Sequence, residues 1–127
     1  MGLAMMLGAA TYASADCAKT IRLVASPAGK VIAADARARV RAQTRTPTFV
    51  KQDLVVEMSA AVANGTTFMV FANGQPMGTI TIVFGVGRLV VNNEAPNVLP
   101  AGANPVCSIG PVIVTDGAGN TILSGSF

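Results

Sequence analysis

The sequence predicts an all-β protein, an antiparallel β-sandwich (Ig-like or related) of about eight short strands. Apolar residues alternate with polar ones over short runs, and turn residues recur about every ten positions. The 13 Gly and 7 Pro are spread between these runs rather than gathered in one tract, a distribution typical of many turns. A small barrel is the alternative that the pattern leaves open. The Ig fold proper is less favoured, because there is no Trp to pack on a disulfide.

The length of 127 residues, with 51% hydrophobic residues, suits one domain with a substantial core. Residues 1–15 are uncharged and apolar and end in Ala13-Ser14-Ala15, the small-x-small pattern of a secretory signal. The run lacks the Lys or Arg that usually opens such a signal. A core strand or helix is the alternative interpretation. We therefore predict a signal peptide over 1–15, a single domain over 16–127, and a secreted or cell-surface location.

Residues 66–92 form the centre of the predicted fold, with three strands joined by two tight turns. Asn73-Gly74 lies between two apolar runs, which is the strongest short-range signal for a type I′ hairpin. The second strand places Ile80, Ile82 and Phe84 on one side. With a two-residue loop, the predicted partners are Ala72 and Gln75, Phe71 and Pro76, Val70 and Met77, Met69 and Gly78, and Phe68 and Thr79.

The other strands follow from similar runs. We predict strands over 20–25 and 49–58, and a closing hairpin over 111–115 and 121–127. A turn is expected at 26–29, a break at 44–47 and a long surface loop at 93–105.

Residues 30–43 have helical propensity but strand-like spacing. Arg37, Arg39 and Arg41 recur at every second position, with Ala or Val between them. A strand puts all three guanidinium groups on one face, whereas a helix scatters them and leaves no apolar stripe. The arginines are candidate anion-binding residues, with Arg22 and Arg45 as possible additions. The alternative is a solvated strand face. We expect no nucleic-acid binding, because no aromatic residues are interleaved.

Cys17 and Cys107 are the only cysteines, and in an exported chain they are expected to form a disulfide. A lipid anchor on Cys17 is disfavoured by Asp16, since lipidation needs a small residue before the cysteine. A redox pair is disfavoured because there is no C-x-x-C spacing.

Residues for catalysis and metal binding are scarce. The chain has no His and only six carboxylates, which removes the usual zinc sites and the Ser-His-Asp triad. A Ser-Lys or paired-carboxylate enzyme stays formally open, but we predict no enzyme and no cofactor. Asp116 and Asn120 offer too few oxygens for calcium. Asn64-Gly65-Thr66 fits the N-glycosylation triplet, which is common by chance.

Three motifs connect the chain to a possible family: V-F-x-N-G-x-x-x-G-T, an L-P-x-G loop and a D-x-x-G-x-x-x-L-S-G-x-F ending, all present here. The chain thereby resembles small exported bacterial β-sandwich proteins of uncharacterised function, over about half its length. The resemblance implies the fold and supplies no catalytic or binding residue. Pro76 and the two cysteines depart from the pattern.

Two functions are predicted. The first is a secreted structural subunit of an extracellular fibre, coat or adhesive surface, assembled with copies of itself through β-edges. Pro76 blocks the hairpin edge, so the candidate assembly edge is the last strand with Thr121, Leu123 and Phe127. The alternative is a binding module that holds an anionic glycan or surface through the arginines. No transmembrane segment is expected in the mature chain.

Overall fold

The computed structural model describes residues 16–127 and confirms an all-β protein with one disulfide. The predicted signal peptide, 1–15, lies outside the described residues. One short helix, α1 (Pro27–Val31), interrupts the strands, and one 3₁₀ turn spans Val106–Ser108. The strands are β1 (Cys17–Ala25), β2 (Asp35–Thr46), β3 (Phe49–Ser59), β4 (Thr67–Ala72), β5 (Gln75–Thr81), β6 (Val86–Asn92), β7 (Pro111–Thr115) and β8 (Thr121–Ser126).

All eight strands belong to one antiparallel sheet in the order β5-β4-β7-β8-β1-β2-β3-β6. β1 joins the two halves of the sheet. It pairs with β2 along most of its length and with β8 only through Val24 and Ala25. The sheet curls until its two outer strands, β5 and β6, lie side by side. The result is a nearly closed barrel, and a division into two separate sheets is not confirmed.

The seam between β5 and β6 depends on Gly87. A Cβ atom on this residue would lie 2.5 Å from Cγ2 of Ile80 and 2.7 Å from the carbonyl oxygen of Thr81. Only a residue without a side chain allows this approach. The two outer strands therefore cover each other's edges at this point.

The strand predicted from the arginine spacing is confirmed. In β2, Ala36, Ala38 and Val40 are buried while Arg37 and Arg39 are exposed, so small apolar groups face the core and guanidinium groups face outward. The strand begins at Asp35 rather than at Lys30. The residues before it form α1, in which the hydroxyl of Ser26 caps the helix by accepting from the N–H of Gly29.

The hairpin register is confirmed next to the turn and wrong beyond it. Ala72 pairs with Gln75 and Phe71 with Pro76, but Val70 then pairs with Gly78 rather than Met77. The predicted pairs of Met69 and Phe68 are displaced by the same single residue. The physical reason is a bulge beside Pro76, which has no N–H for the ladder. The extra residue lets both Met77 and Ile80 point into the core.

The predicted disulfide is confirmed: Cys17 bonds to Cys107, with their Cα atoms 5.9 Å apart. It ties the start of β1 to the 3₁₀ turn in the segment between β6 and β7. That segment also inserts buried apolar side chains at one end of the barrel, namely Leu99, Ala103, Val106 and Ile109. Within residues 16–127, no helix has the length and apolar character needed to cross a membrane.

Candidate functional site: an arginine face

Five arginines lie on the outward face of the half-sheet β1-β2-β3-β6, and we call this surface the arginine face. Its centre is β2, where Arg37 and Arg39 stand about 6.6–7 Å apart along the strand. The arginine face consists of Arg22, Arg37, Arg39, Arg41 and Arg88.

One row of the sheet aligns four charged side chains. Arg37 lies opposite Arg22 of β1 on one side and Glu57 of β3 on the other. Glu57 in turn lies opposite Arg88 of β6. Since neighbouring strands are about 4.8 Å apart, the row extends about 14 Å across the sheet. Spacing in the sequence does not group Arg88 with the stripe, because only the strand pairing shows that β6 lies next to β3.

Two of the five arginines have carboxylate partners. Nε of Arg22 lies 3.0 Å from Oδ1 of Asp35, and both side chains are exposed, so this pair contributes little stability. Nη2 of Arg41 lies 3.5 Å from Oδ2 of Asp53, whose side chain is only 9% exposed. The other oxygen, Oδ1, is buried without a hydrogen-bond partner. Arg41 therefore has a structural task, which is to balance a buried carboxylate.

The remaining arginines are available for a ligand. Within residues 16–127, Arg37, Arg39 and Arg88 form no ion pair shorter than 4.0 Å, and all three are exposed. A guanidinium group presents a planar fork of donors that matches carboxylate, sulfate and phosphate oxygens. The predicted anion-binding residues thus divide into two that are free, Arg37 and Arg39, and one that is engaged, Arg41.

An open groove of about 550 Å³ crosses the arginine face where β2 begins, beside the end of β3 and the start of β6. Arg37 and Arg88 line it on either side of Glu57. An anionic group in the groove would meet the guanidinium groups of Arg37 and Arg88 and the carboxylates of Glu57 and Asp35. The charge of Asp35 is balanced by its ion pair with Arg22, so net attraction is expected. The complete lining is Asp35, Ala36, Arg37, Glu57, Met58, Ser59, Val86, Gly87 and Arg88.

The predicted assembly residues do not lie on an open edge. β8 sits between β7 and β1 in the sheet. Thr121 pairs with Thr115 of β7, Leu123 is fully buried, and Phe127 is half-buried against the core. The outer strands of the described sheet are β5 and β6, which neighbour each other.

The Asp116 loop is a self-contained turn. Oδ1 of Asp116 accepts from the N–H groups of Ala118 and Asn120, and Oδ2 accepts from the side-chain amide of Asn120. These hydrogen bonds, led by the Asn120 side chain, lower the pKa of Asp116 below its ordinary value. No group of three or more potential metal ligands occurs in the part of the chain described.

The carboxylate of Glu94, at the opposite end of the arginine face from the groove, forms an ion pair with Lys51. Nζ of Lys51 lies 2.8 Å from Oε1 of Glu94, and the hydrogen bond from Lys51 lowers the pKa of Glu94 below its ordinary value. This pair balances one cation with one carboxylate at that end of the face, where Arg45 also lies close enough to lower the pKa of Glu94 further.

The turn between β5 and β6 begins earlier than the sequence predicts. Val83 and Val86 exchange backbone hydrogen bonds of 2.9 and 3.2 Å around Phe84-Gly85. Phe84 is predicted on the buried side with Ile80 and Ile82, yet its side chain is 87% exposed while those two are fully buried. The prediction is wrong because β5 ends at Thr81 and the strand periodicity does not continue into a turn. The sequence feature that could have indicated this turn is Gly85, which follows Phe84 and lies between two valine-rich runs.

No protein-family model, no curated protein and no solved structure matches this chain. The fold and the geometry of the arginine face therefore provide the basis for a functional proposal, and the resemblance to small exported bacterial proteins stays a prediction.

Proposed function

We propose that this protein is an exported binding module that holds an anionic surface or polymer through its arginine face. The observation that carries the proposal is the pair Arg37 and Arg39, which are exposed side by side at the centre of the face and form no ion pair within 4.0 Å among the described residues. Two exposed guanidinium groups about 6.6–7 Å apart repel each other modestly, and an anion bound between them would relieve this repulsion, so their placement favours a negatively charged ligand.

The surroundings of this pair support the same function. Arg22 and Arg88 add guanidinium groups on β1 and β6, on either side of Arg37 and Glu57 in the same row. Cationic groups spread over this distance suit an extended ligand better than a single small ion. The formal net charge of the chain is +3, so long-range attraction to an anion has the right sign. The Cys17–Cys107 disulfide is typical of proteins in oxidising compartments, and it supports export.

We also propose that the two halves of the sheet act as the two packed layers of a β-sandwich. The strands β6-β3-β2-β1 form one half and β5-β4-β7-β8 the other, with β1 linking them. If the halves act as two packed layers, the arginine face is the outer surface of one layer. The layer then serves as a flat platform for a ligand.

Assembly through β-edges, the first function predicted from the sequence, has less support. The outer strands β5 and β6 approach each other at Gly87, so recruiting another strand there requires the seam to open. The self-assembled fibre, coat or adhesive subunit stays a prediction.

The test is salt elution from immobilised heparin, a sulfated anionic polymer. In the variant Arg37→Ser/Arg39→Ser, elution is expected at clearly lower salt than for the wild type, because two free cations are lost. Arg41 is left in place, because its removal would leave the buried carboxylate of Asp53 without its ion-pair partner. The matched control is Lys19→Gln/Arg45→Gln, which removes the same charge away from the groove and should shift elution much less. Equal shifts in both variants would show that net charge alone controls retention and would defeat the proposal.

A further inference from the structure

Four exposed apolar side chains lie at the end of the barrel nearest the groove, and we call them the Phe84 tip. Three belong to the β5–β6 turn and one to α1. The turn and α1 are neighbours, because the backbone of the connector after β3 donates from Ala60 to Gly85 and from Ala61 to Ile32. The exposed fractions are 86% for Val31, 47% for Val83, 87% for Phe84 and 60% for Val86.

The backbone holds Phe84 outward in a conformation that suits it poorly. Its φ is +51° and that of Gly85 is +81°, the left-handed pair of a type I′ turn. The other hairpin of the same kind has Asn73 at +51° and Gly74 at +77°, where Asn tolerates the positive φ. Phe has no such tolerance. This position therefore combines backbone strain with an aromatic ring in water, and neither feature helps the isolated domain to fold.

The turn is braced rather than loose. The side-chain oxygen of Asn64 accepts from the N–H of Phe84 at 2.7 Å, and the carbonyl of Gly85 accepts from Ala60 at 3.0 Å. An aromatic residue that is strained, fixed and exposed points to a partner outside the chain.

The charges around the tip indicate what kind of partner it is. Lys30 directly precedes Val31, and Arg88 follows Val86 by two residues. Arg37 lines the adjoining groove, and Arg22 lies beside it in the same row. The only carboxylates in this region of the described chain are Asp35 and Glu57, one of which is paired with Arg22. An apolar tip with a cationic surround is complementary to a surface that offers anionic groups above an apolar interior.

We propose that the anionic surface bound by this protein is a lipid bilayer, with the Phe84 tip inserted among the acyl chains and Arg37, Arg88 and Lys30 at the headgroups. This inference rests on the proposed function, because the arginine face supplies the attraction. Phe84 adds apolar contact that a soluble polyanion does not offer. The binding is peripheral, through one turn and the end of α1.

The first experiment is flotation with vesicles of equal parts phosphatidylglycerol and phosphatidylcholine, and with phosphatidylcholine vesicles alone. The wild type is expected to bind the anionic vesicles and not the neutral ones. Phe84→Asn places the Asn-Gly pair of the other hairpin in this turn, and should weaken vesicle binding by about 10- to 100-fold, the transfer of one large apolar side chain. Its elution from heparin should be unchanged, which also shows that the fold is intact.

A second experiment locates the insertion directly. The chain contains no Trp, so Phe84→Trp introduces a single fluorescent reporter at the tip. Val98→Trp is the matched control, because Val98 is 83% exposed and lies in the loop after β6, away from the tip. Anionic vesicles should shift the emission of the Phe84→Trp variant to shorter wavelength and leave that of the Val98→Trp variant unchanged.

The outcomes separate the inference from the proposed function. If the Phe84→Asn variant binds vesicles as tightly as the wild type, or both reporters respond alike, insertion is overturned while anion binding stands. If the wild type ignores anionic vesicles but keeps heparin retention that depends on Arg37 and Arg39, the ligand is a soluble polymer and the lipid inference fails. A Phe84-dependent dimer in sedimentation, without vesicle binding, assigns the tip to a second copy and also overturns it. Loss of both vesicle binding and specific heparin retention defeats the proposed function itself.

Discussion

Replacing Phe84 with Asn is expected to stabilise the protein, although it removes an apolar side chain. The gain comes from the backbone. An L-residue in the left-handed region costs roughly 1–2 kcal/mol, and Asn recovers a large part of this cost because its short polar side chain tolerates positive φ. Asn73, at the same φ of +51° in the other hairpin, shows that this chain accommodates Asn in such a turn.

The replacement loses little buried apolar surface, because Phe84 is already 87% exposed. Only about 13% of its surface is covered by the rest of the protein. For a side chain that buries about 150–250 Å² when fully enclosed, this amounts to about 20–30 Å². At about 25 cal/mol per Å², the lost burial costs about 0.5–0.8 kcal/mol. The net expectation is a gain of about 0.5–1 kcal/mol in the free energy of unfolding.

The assay is urea unfolding followed by far-ultraviolet circular dichroism with the disulfide intact. The midpoint should rise with the slope unchanged, because the surface exposed on unfolding is nearly the same. Gly85→Ala is the opposing control and should lower the midpoint, since it places a Cβ at a φ of +81°. A Phe84→Asn variant that is less stable than the wild type by more than about 0.5 kcal/mol would refute the assignment of strain to this turn.

Four further predictions concern the structure that supports the site. Arg41→Ser should lower the free energy of unfolding by about 1–3 kcal/mol, because it leaves the buried carboxylate of Asp53 unpaired; an Arg41→Ser variant with wild-type stability in urea would contradict its structural task. Asn73→Ala should destabilise clearly more than Asn73→Gly, since both lose the side-chain hydrogen bonds to Gly102 and Gly110 but only Ala is strained at positive φ; equal thermal midpoints would argue against this. Gly87→Val should force β5 and β6 apart, seen as faster hydrogen exchange in those two strands, and unchanged exchange would mean that the seam is not closed at this residue. The pKa of Asp116 is lowered in the folded state, so the ionised carboxylate contributes to stability above its ordinary pKa of about 3.8, and this contribution is lost as the pH falls through the folded value. The Asp116→Asn variant should therefore lose less stability on acidification than the wild type. Parallel plots of unfolding free energy against pH for the two proteins would exclude the effect.

The sequence predicts the strands well wherever one side of a strand faces the core. In β2 the alternation of Arg with Ala and Val is enough to choose strand over helix, although propensity alone favours helix. The alternation works because burial on one face of a sheet imposes a period of two. The disulfide is predicted for a comparably simple reason, since two cysteines allow only one pairing.

Departures from simple periodicity escape this kind of prediction. The bulge beside Pro76 shifts the hairpin register by one residue, because the sequence does not say whether Met77 or its neighbour should face the core. Phe84 continues the pattern of Ile80 and Ile82, which predicts a core position, whereas the chain has already entered a turn there. In both cases the local pattern gives no information on where the ladder is interrupted.

The candidate site is only half predictable. Three arginines on one face follow from their spacing in β2, but the distinction between free Arg37 and engaged Arg41 depends on a carboxylate that β3 brings into place. Arg88, which is distant from the stripe along the chain, joins the same surface only because β6 pairs with β3.

By itself, the sequence determined that this chain forms short antiparallel strands with a disulfide and an outward arginine stripe, since these depend on alternation, turn residues and composition. Tertiary structure decided that the strands curl into one nearly closed sheet, that β8 lies inside it, and that a strained Phe84 stands beside a groove lined by Arg37 and Arg88. Those features depend on which distant strands become neighbours, and the order of strands in a sheet is set by packing of the whole core rather than by any local run of residues.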